Sequence, residues 1–197
     1  MKVEVVDVFG SDAKVSKMAR ISFGHLDVKR QDELPEFLGR LLEQRHLVPF
    51  EHCALTFFVE CPVFVARQLL RYRTAAVSER SLRYCQPMDA VIPDGPQAKM
   101  IHDCYEEAWC YYDLLLKSGL PKEAARCVLP LGSMTQFYFT MNLRNLMHLF
   151  DQRLTGHAQR ETRQVAFEMF RLARKYFPIT FGLYRSSMFG SCDEADE

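Results

Sequence analysis

The sequence predicts an α+β fold, a single compact domain with a mixed sheet and several helices. Its 197 residues suit one hydrophobic core. Most of its apolar residues recur at helical spacing, whereas only a few short stretches alternate in the manner of strands. Mixed helices and few strands give an α+β single domain. Neither a domain boundary nor an internal repeat is visible, so residues 1–197 are expected to form one unit, with 190–197 a frayed acidic tail.

Lys2 to Val8 alternates with β-branched residues and reads as the first strand, followed by a short helix from Ala13 to Arg20. Asp32 is a candidate cap for a helix carrying Leu34, Phe37, Leu38, Leu41 and Leu42 on one face and ending near His46. Ala54 to Glu60, rich in Phe, Thr and Val, reads as a strand. Pro62 suits the first turn of a helix running from Val63 to about Arg71, which would set Arg67, Gln68 and Arg71 on one face. Thr74 to Tyr84 leaves helical periodicity and reads as a loop or short strand, and Pro87 to Pro96 is the clearest loop.

Gln97 to Lys117 is helical, closed by Gly119 and restarted at Pro121. Met134 to Thr140 alternates aromatics as another strand. Asn142 to Gln152 and His157 to Tyr176 read as amphipathic helices, the second carrying Val165, Met169, Leu172, Ala173 and Tyr176 toward a core.

Lysine plus arginine and aspartate plus glutamate each number 25, and 48% of the residues are hydrophobic. With no dominant basic tract, neither nucleic acid nor a membrane surface is the expected partner. No apolar run is long enough to span a bilayer, and Met1-Lys2-Val3-Glu4 lacks a signal-peptide pattern, so the expectation is a cytoplasmic protein. The seven cysteines form no Cys-x-x-Cys pair and the six histidines no His-x-x-x-His pair. Reduced thiols and no metal are therefore expected.

The stretch Arg71 to Arg83 carries the strongest functional signal. It holds Arg71, Arg73, Arg80 and Arg83, with Ser81 between the last pair, one acid (Glu79) and no lysine. Planar multi-donor cations at this density suit an anionic ligand, because the guanidinium fork matches phosphate oxygens two at a time. A solvated arginine-rich turn is the plainer alternative. Three further arginines admit two readings each. Arg126 could pair with nearby Glu123 or meet a ligand, and Arg153, four residues before His157, could cap helix carbonyls. Arg144 follows Asn142 at a helix start, where positive charge is unfavourable against the macrodipole unless an anion is present.

The spacing Arg-x-Arg, seven residues, Ser, from Arg71 to Ser81, resembles the Arg-His-Arg-x7-Ser signature of the flavin-dependent thymidylate synthases, with Tyr72 in place of the His. Blocks in the same order extend the resemblance over roughly residues 1–185. These are Ala19 to Phe23, Pro49-Phe50-Glu51-His52, Phe64 to Gln68, Ala125-Arg126 with Leu129-Pro130-Leu131, Asn142-Leu143-Arg144, and Arg153 with His157-Ala158-Gln159.

The resemblance implies a thymidylate synthase-complementing-type domain assembled as a homotetramer, with each site built from more than one subunit. It implies conversion of dUMP to dTMP, with methylenetetrahydrofolate as carbon donor, NADPH as reductant and FAD as intermediary. By position, Ser22, Val48, Arg71, Tyr72, Arg73, Thr74, Glu79, Asn142, Arg144 and His148 fall on FAD, Val48 across a subunit boundary. Gln68, Arg71, Glu79, Arg80, Ser81, Leu82, Arg83, Arg126 and Arg153 surround dUMP, Arg153 also being the catalytic candidate through stabilisation of charge on the uracil ring. Ser81 lacks a neighbouring base and is read as a phosphate contact.

The chain departs from the pattern at Tyr72, Ser78 and Leu82, and also at Val48 and His148, where Thr and Asn are common. These departures bear on folate and nicotinamide handling more than on dUMP or FAD. Two alternatives stay open: a divergent flavin enzyme alkylating or hydroxymethylating C5 of a uridine nucleotide, and a non-catalytic nucleotide- or RNA-binding paralogue.

Overall fold

The computed structural model describes residues 1–25, 27 and 31–189, with side chains through 184. The tail at 190–197, Cys192 included, lies outside the described residues. Four strands, β1 (Lys2–Phe9), β2 (Ala54–Pro62), β3 (Ala76–Glu79) and β4 (Met134–Asn142), form one sheet in the order β1-β2-β4-β3. Every pairing in it is antiparallel, so the α+β class holds and the expected mixed sheet does not. No parallel crossover is needed, because each strand meets its neighbour head to tail.

The central pair β2 and β4 is in register along its whole length, from Ala54 opposite Asn142 to Pro62 opposite Met134. Alternation sorts its side chains. Leu55, Phe57, Val59 and Cys61, with Phe137, Phe139 and Met141, are buried on the helix-covered face. The other face carries Phe58 against Tyr138, with ring centres 5.8 Å apart, and the Thr56 and Thr140 hydroxyls at 2.9 Å.

Helices α1 (Asp12–Arg20), α2 (Leu34–Glu43), α3 (Val63–Leu69), α4 (Ala98–Lys117), α5 (Lys122–Ala125), α6 (Leu143–Arg153), α7 (Arg160–Tyr176) and α8 (Pro178–Phe189) complete the fold. Between β1 and α1 the chain turns at Gly10, whose φ is 105° and where a Cβ would meet Cys53 Sγ at 2.4 Å. Only glycine satisfies both conditions. Ser11 then caps α1 by accepting from the Lys14 amide.

Four sequence expectations need correction. Asp32 sits within a 3-10 turn (Gln31–Glu33), and α2 starts without a side-chain cap. Helix α3 stops at Leu69, so Arg71 lies in the following turn and shares no helix face with Arg67; the Tyr72 amide bonds back to Leu69 O at 3.1 Å and turns the chain away. The last amphipathic helix begins at Arg160, after a turn through His157. Finally α8 has no counterpart in the sequence reading, which placed no element after Tyr176.

Helix α8 is central to the core. Phe181 is fully buried and meets Phe150 and Phe170 edge-on at 5.7 and 6.0 Å, joining α6, α7 and α8. Asp12 of α1 supplies its N-terminal cap, accepting from the Ile179 and Thr180 amides and from the Thr180 hydroxyl at 2.9, 3.1 and 2.5 Å. Tyr184 donates to Met147 O at 2.7 Å and bonds to Asp151 at 2.5 Å, fixing the far half of α6. Burial, with the Asp151 bond second, pushes this phenol well above its ordinary value.

Candidate functional site

The arginine-rich stretch folds as a turn (71–75), strand β3 and a second turn (81–85). Within the first turn, Arg71, Arg73 and Thr74 are exposed, whereas Tyr72 turns inward. Its ring takes the His148 ring edge-on at 6.0 Å and the Arg153 guanidinium at 5.4 Å. The Tyr72 hydroxyl and Arg153 Nε are both buried and without a hydrogen-bond partner among the described residues. Burial pushes the phenol above its ordinary value, and the Arg153 charge offsets part of that. Tyr72, His148 and Arg153 thus form a cluster of polar side chains packed ring to ring and ring to cation. Gln68, on α3, donates to Gln159 at 2.5 Å.

The second half of the stretch divides into anchored and presented groups. Arg80 is an anchor: its amide and guanidinium bond to Gln136 O and Oε1 at 2.8 and 3.4 Å and to Gln86 O at 3.1 Å, and Gln136 bonds onward to Glu60. Glu79 accepts from Thr135 at 2.8 Å. Ser81 opens a turn, its carbonyl accepting from Tyr84 and Cys85 and its Oγ from the Arg83 amide. Leu82 is half-buried in that turn. Arg83 pairs with Glu123 at 3.0 Å, and Arg126 donates to the Glu123 backbone carbonyl at 3.2 Å. The Glu123 carboxylate therefore serves Arg83, not Arg126, and both arginines converge on one exposed spot.

Asn142 caps α6, its Oδ1 accepting from the Asn145 amide at 2.9 Å. The anion facing Arg144 is the chain's own Glu51 carboxylate, 93 residues distant in sequence. Arg144 and His148 line a cavity of about 680 Å³. Ser22 and Val48 line another of about 520 Å³. Both cavities include Arg45 and Leu47, so they meet at the loop after α2.

The structure thus groups Tyr72, His148 and Arg153, groups Arg83 with Arg126, and sets Arg144 and His148 in one cavity and Ser22 and Val48 in another, Arg45 and Leu47 lining both. Glu51 and Arg45 were missed as site residues. Glu51 stood in a quoted block without a role, and nothing in the sequence marks Arg45. Among the described residues, no three His, Cys, Asp or Glu side chains cluster to hold a metal ion. Nor is any helix long and apolar enough to cross a membrane.

Comparison with known proteins decides the family. The family described as thymidylate synthase complementing protein matches residues 4–179. The chain belongs to the flavin-dependent thymidylate synthases. Its relatives of that name include one from Thermotoga neapolitana, 36% identical, and one from Thermosipho melanesiensis, 34% identical, each match covering 91% of this chain and 88% of the relative. Among solved structures, the UMP/dUMP methylase PolB from Streptomyces cacaoi bound with 5-Br dUMP superposes with a TM-score of 0.88 at 31% identity, covering 94% of each chain. The same protein bound with 5-Br UMP gives 0.82 at 30% identity. The expected family is borne out, and so is the α+β class.

Proposed function

We propose that this chain converts dUMP to dTMP, with methylenetetrahydrofolate as carbon donor, NADPH as reductant and FAD as redox intermediary, in a homotetramer whose subunits share sites. The observation that carries the reading is the inward Tyr72 with the Arg153 guanidinium over its ring and His148 at its edge.

The donor set fits both ligands. Two adjoining cavities flanked by Arg144, His148, Ser22 and Val48 suit a long anionic cofactor with flat rings. Arg71, Arg73 and Thr74 present exposed donors beside Tyr72. Glu79 and Asn142 take part through the turn and helix start that they hold in place. Bound flavin relays the reducing equivalents that methylation consumes.

The residues of this chain bind, orient and stabilise. Arg83 and Arg126 converge to hold the nucleotide phosphate, and the Ser81 turn adds its hydroxyl and backbone donors. Arg80 keeps that turn fixed to the sheet edge, and Leu82 packs inside it. Gln68 and Arg71 face the base from the end of α3. Arg153, half-buried, stabilises negative charge developing on the uracil ring, and low local dielectric strengthens that interaction.

A second reading has its own support. The solved relative is named for both UMP and dUMP and was seen with 5-bromo derivatives of each. Ribonucleotide methylation by this chain is therefore the rival to be measured. The experiment incubates purified protein with FAD, NADPH and methylenetetrahydrofolate and either dUMP or UMP, and identifies products by mass spectrometry. A 14 Da increase on dUMP is expected, from a yellow protein sized as a tetramer by light scattering. Product from UMP alone transfers the assignment to the rival, and no product from either overturns both.

A further inference from the structure

Arg45 is the one non-glycine residue with positive φ among the described residues, at 54°. It follows α2 in a defined helix-stop motif. The Arg45 amide bonds to Leu42 O at 3.1 Å and the His46 amide to Leu41 O at 2.8 Å, the paired bonds of a Schellman turn. That position ordinarily belongs to glycine, because a Cβ in the left-handed region costs stability. An arginine there carries a conformational penalty that its backbone role does not require. Its side chain accounts for the choice.

That side chain is exposed and makes no ion pair or hydrogen bond among the described residues. It stands where the two cavities meet. The smaller one offers Ser22, His46 and His52 as polar groups and no carboxylate. The larger carries Arg144 and His148 beside Glu43 and Asp151. The junction also lies at the C-terminus of α2, where the negative end of the helix dipole repels anions unless a cation intervenes.

We propose that Arg45 holds the phosphate bridge of a flavin dinucleotide where it passes from one cavity to the other, making it a specificity-determining residue for phosphorylated flavin. The proposal rests on the flavin reading above. Bidentate guanidinium contact suits a diphosphate, and Arg45 lines both cavities.

The test titrates FAD and riboflavin against wild-type protein and the variants Arg45→Gly and Arg45→Lys, following quenching of flavin fluorescence. Thermal unfolding of the flavin-free proteins runs alongside. Arg45→Gly should weaken FAD about 10–100-fold, the loss of a charged contact, while riboflavin, which lacks phosphate, shifts less than about twofold. Arg45→Lys should fall between. The flavin-free Arg45→Gly protein should melt no lower than wild type, since glycine fits the turn. FAD affinity unchanged in Arg45→Gly, or an equal fall for riboflavin, overturns the proposal. Wild type that binds neither flavin is a distinct result, which overturns the cofactor reading itself together with the proposal.

Discussion

The guanidinium carbon of Arg153 stands 5.4 Å from the centre of the Tyr72 ring, and His148 meets the same ring edge-on at 6.0 Å. A cation over an aromatic face is attracted to the ring quadrupole, more strongly where water is excluded. Tyr72 therefore positions Arg153.

Tyr72→His should fold, bind flavin and remain active, because a ring that can hydrogen-bond is kept among the same neighbours. Tyr72→Ala should lower kcat/KM by about 10–100-fold, since it removes the support of Arg153 and opens a void. Steady-state assays with dTMP measured directly check both. Wild type making no dTMP while Tyr72→His makes it readily would promote the divergent-enzyme reading.

Ser81→Ala should weaken dUMP binding by about 2–13-fold and leave measurable turnover at saturating substrate. One neutral hydrogen bond is worth about 0.5–1.5 kcal/mol, whereas loss of a covalent nucleophile removes nearly all activity. Turnover abolished in a folded, flavin-bound variant would show that the hydroxyl does the chemistry.

Asp12→Ala should lower stability by about 2–4 kcal/mol, and the melting temperature by roughly 5–15 °C, because three donors at the start of α8 lose their acceptor together. Asp12→Asn keeps one acceptor oxygen and should lose less. Thermal melts of the three proteins decide, and equal Tm values would remove the cap from the account.

Cys61 sets an alkaline limit. Burial, with Glu79 adding to it, pushes this thiol up to about 12 from 9.0. The folded state holds the proton more tightly than the unfolded one, so the stabilisation is whole below pH 9 and is lost as pH rises toward 12. At pH 10.5 the loss amounts to about 2 kcal/mol. Urea midpoints at pH 8 and 10.5 should converge more for Cys61→Ala than for wild type; an identical drop in both would exclude Cys61 as the cause.

The sequence revealed the strands β2 and β4 through their β-branched and aromatic residues, and the long helix α4 through the proline and glycine that bound it. It did not reveal α8, whose apolar residues Ile179, Phe181, Leu183 and Tyr184 are spread around the helix and follow a proline. Nor did it place the end of α3, since Leu69-Leu70-Arg71 continues the helical pattern and only the tertiary pull on Tyr72 breaks it. For the site, the arginines were legible from local density. Their partners were not: Glu51 reaches Arg144 and Glu123 reaches Arg83 across 93 and 40 residues, and long-range ion pairs leave no periodic trace. Arg45 was hidden because a helix stop usually shows itself through glycine.

The full-length register of β2 with β4 has a geometric implication. Both strands have nine residues and run directly into a helix, with Pro62 and Asn142 each serving as last strand residue and N-cap. An approximate local two-fold through the Phe58–Tyr138 pair relates β2–α3 to β4–α6, with eight-residue β1 flanking one half and four-residue β3 the other, although the two halves share no visible sequence repeat. The symmetry fails in helix length, at seven residues for α3 against eleven for α6. The truncated helix frees Tyr72 to leave its axis, and the extra turn of its counterpart carries Arg153 out to meet it. The candidate site lies where the two halves differ in helix length.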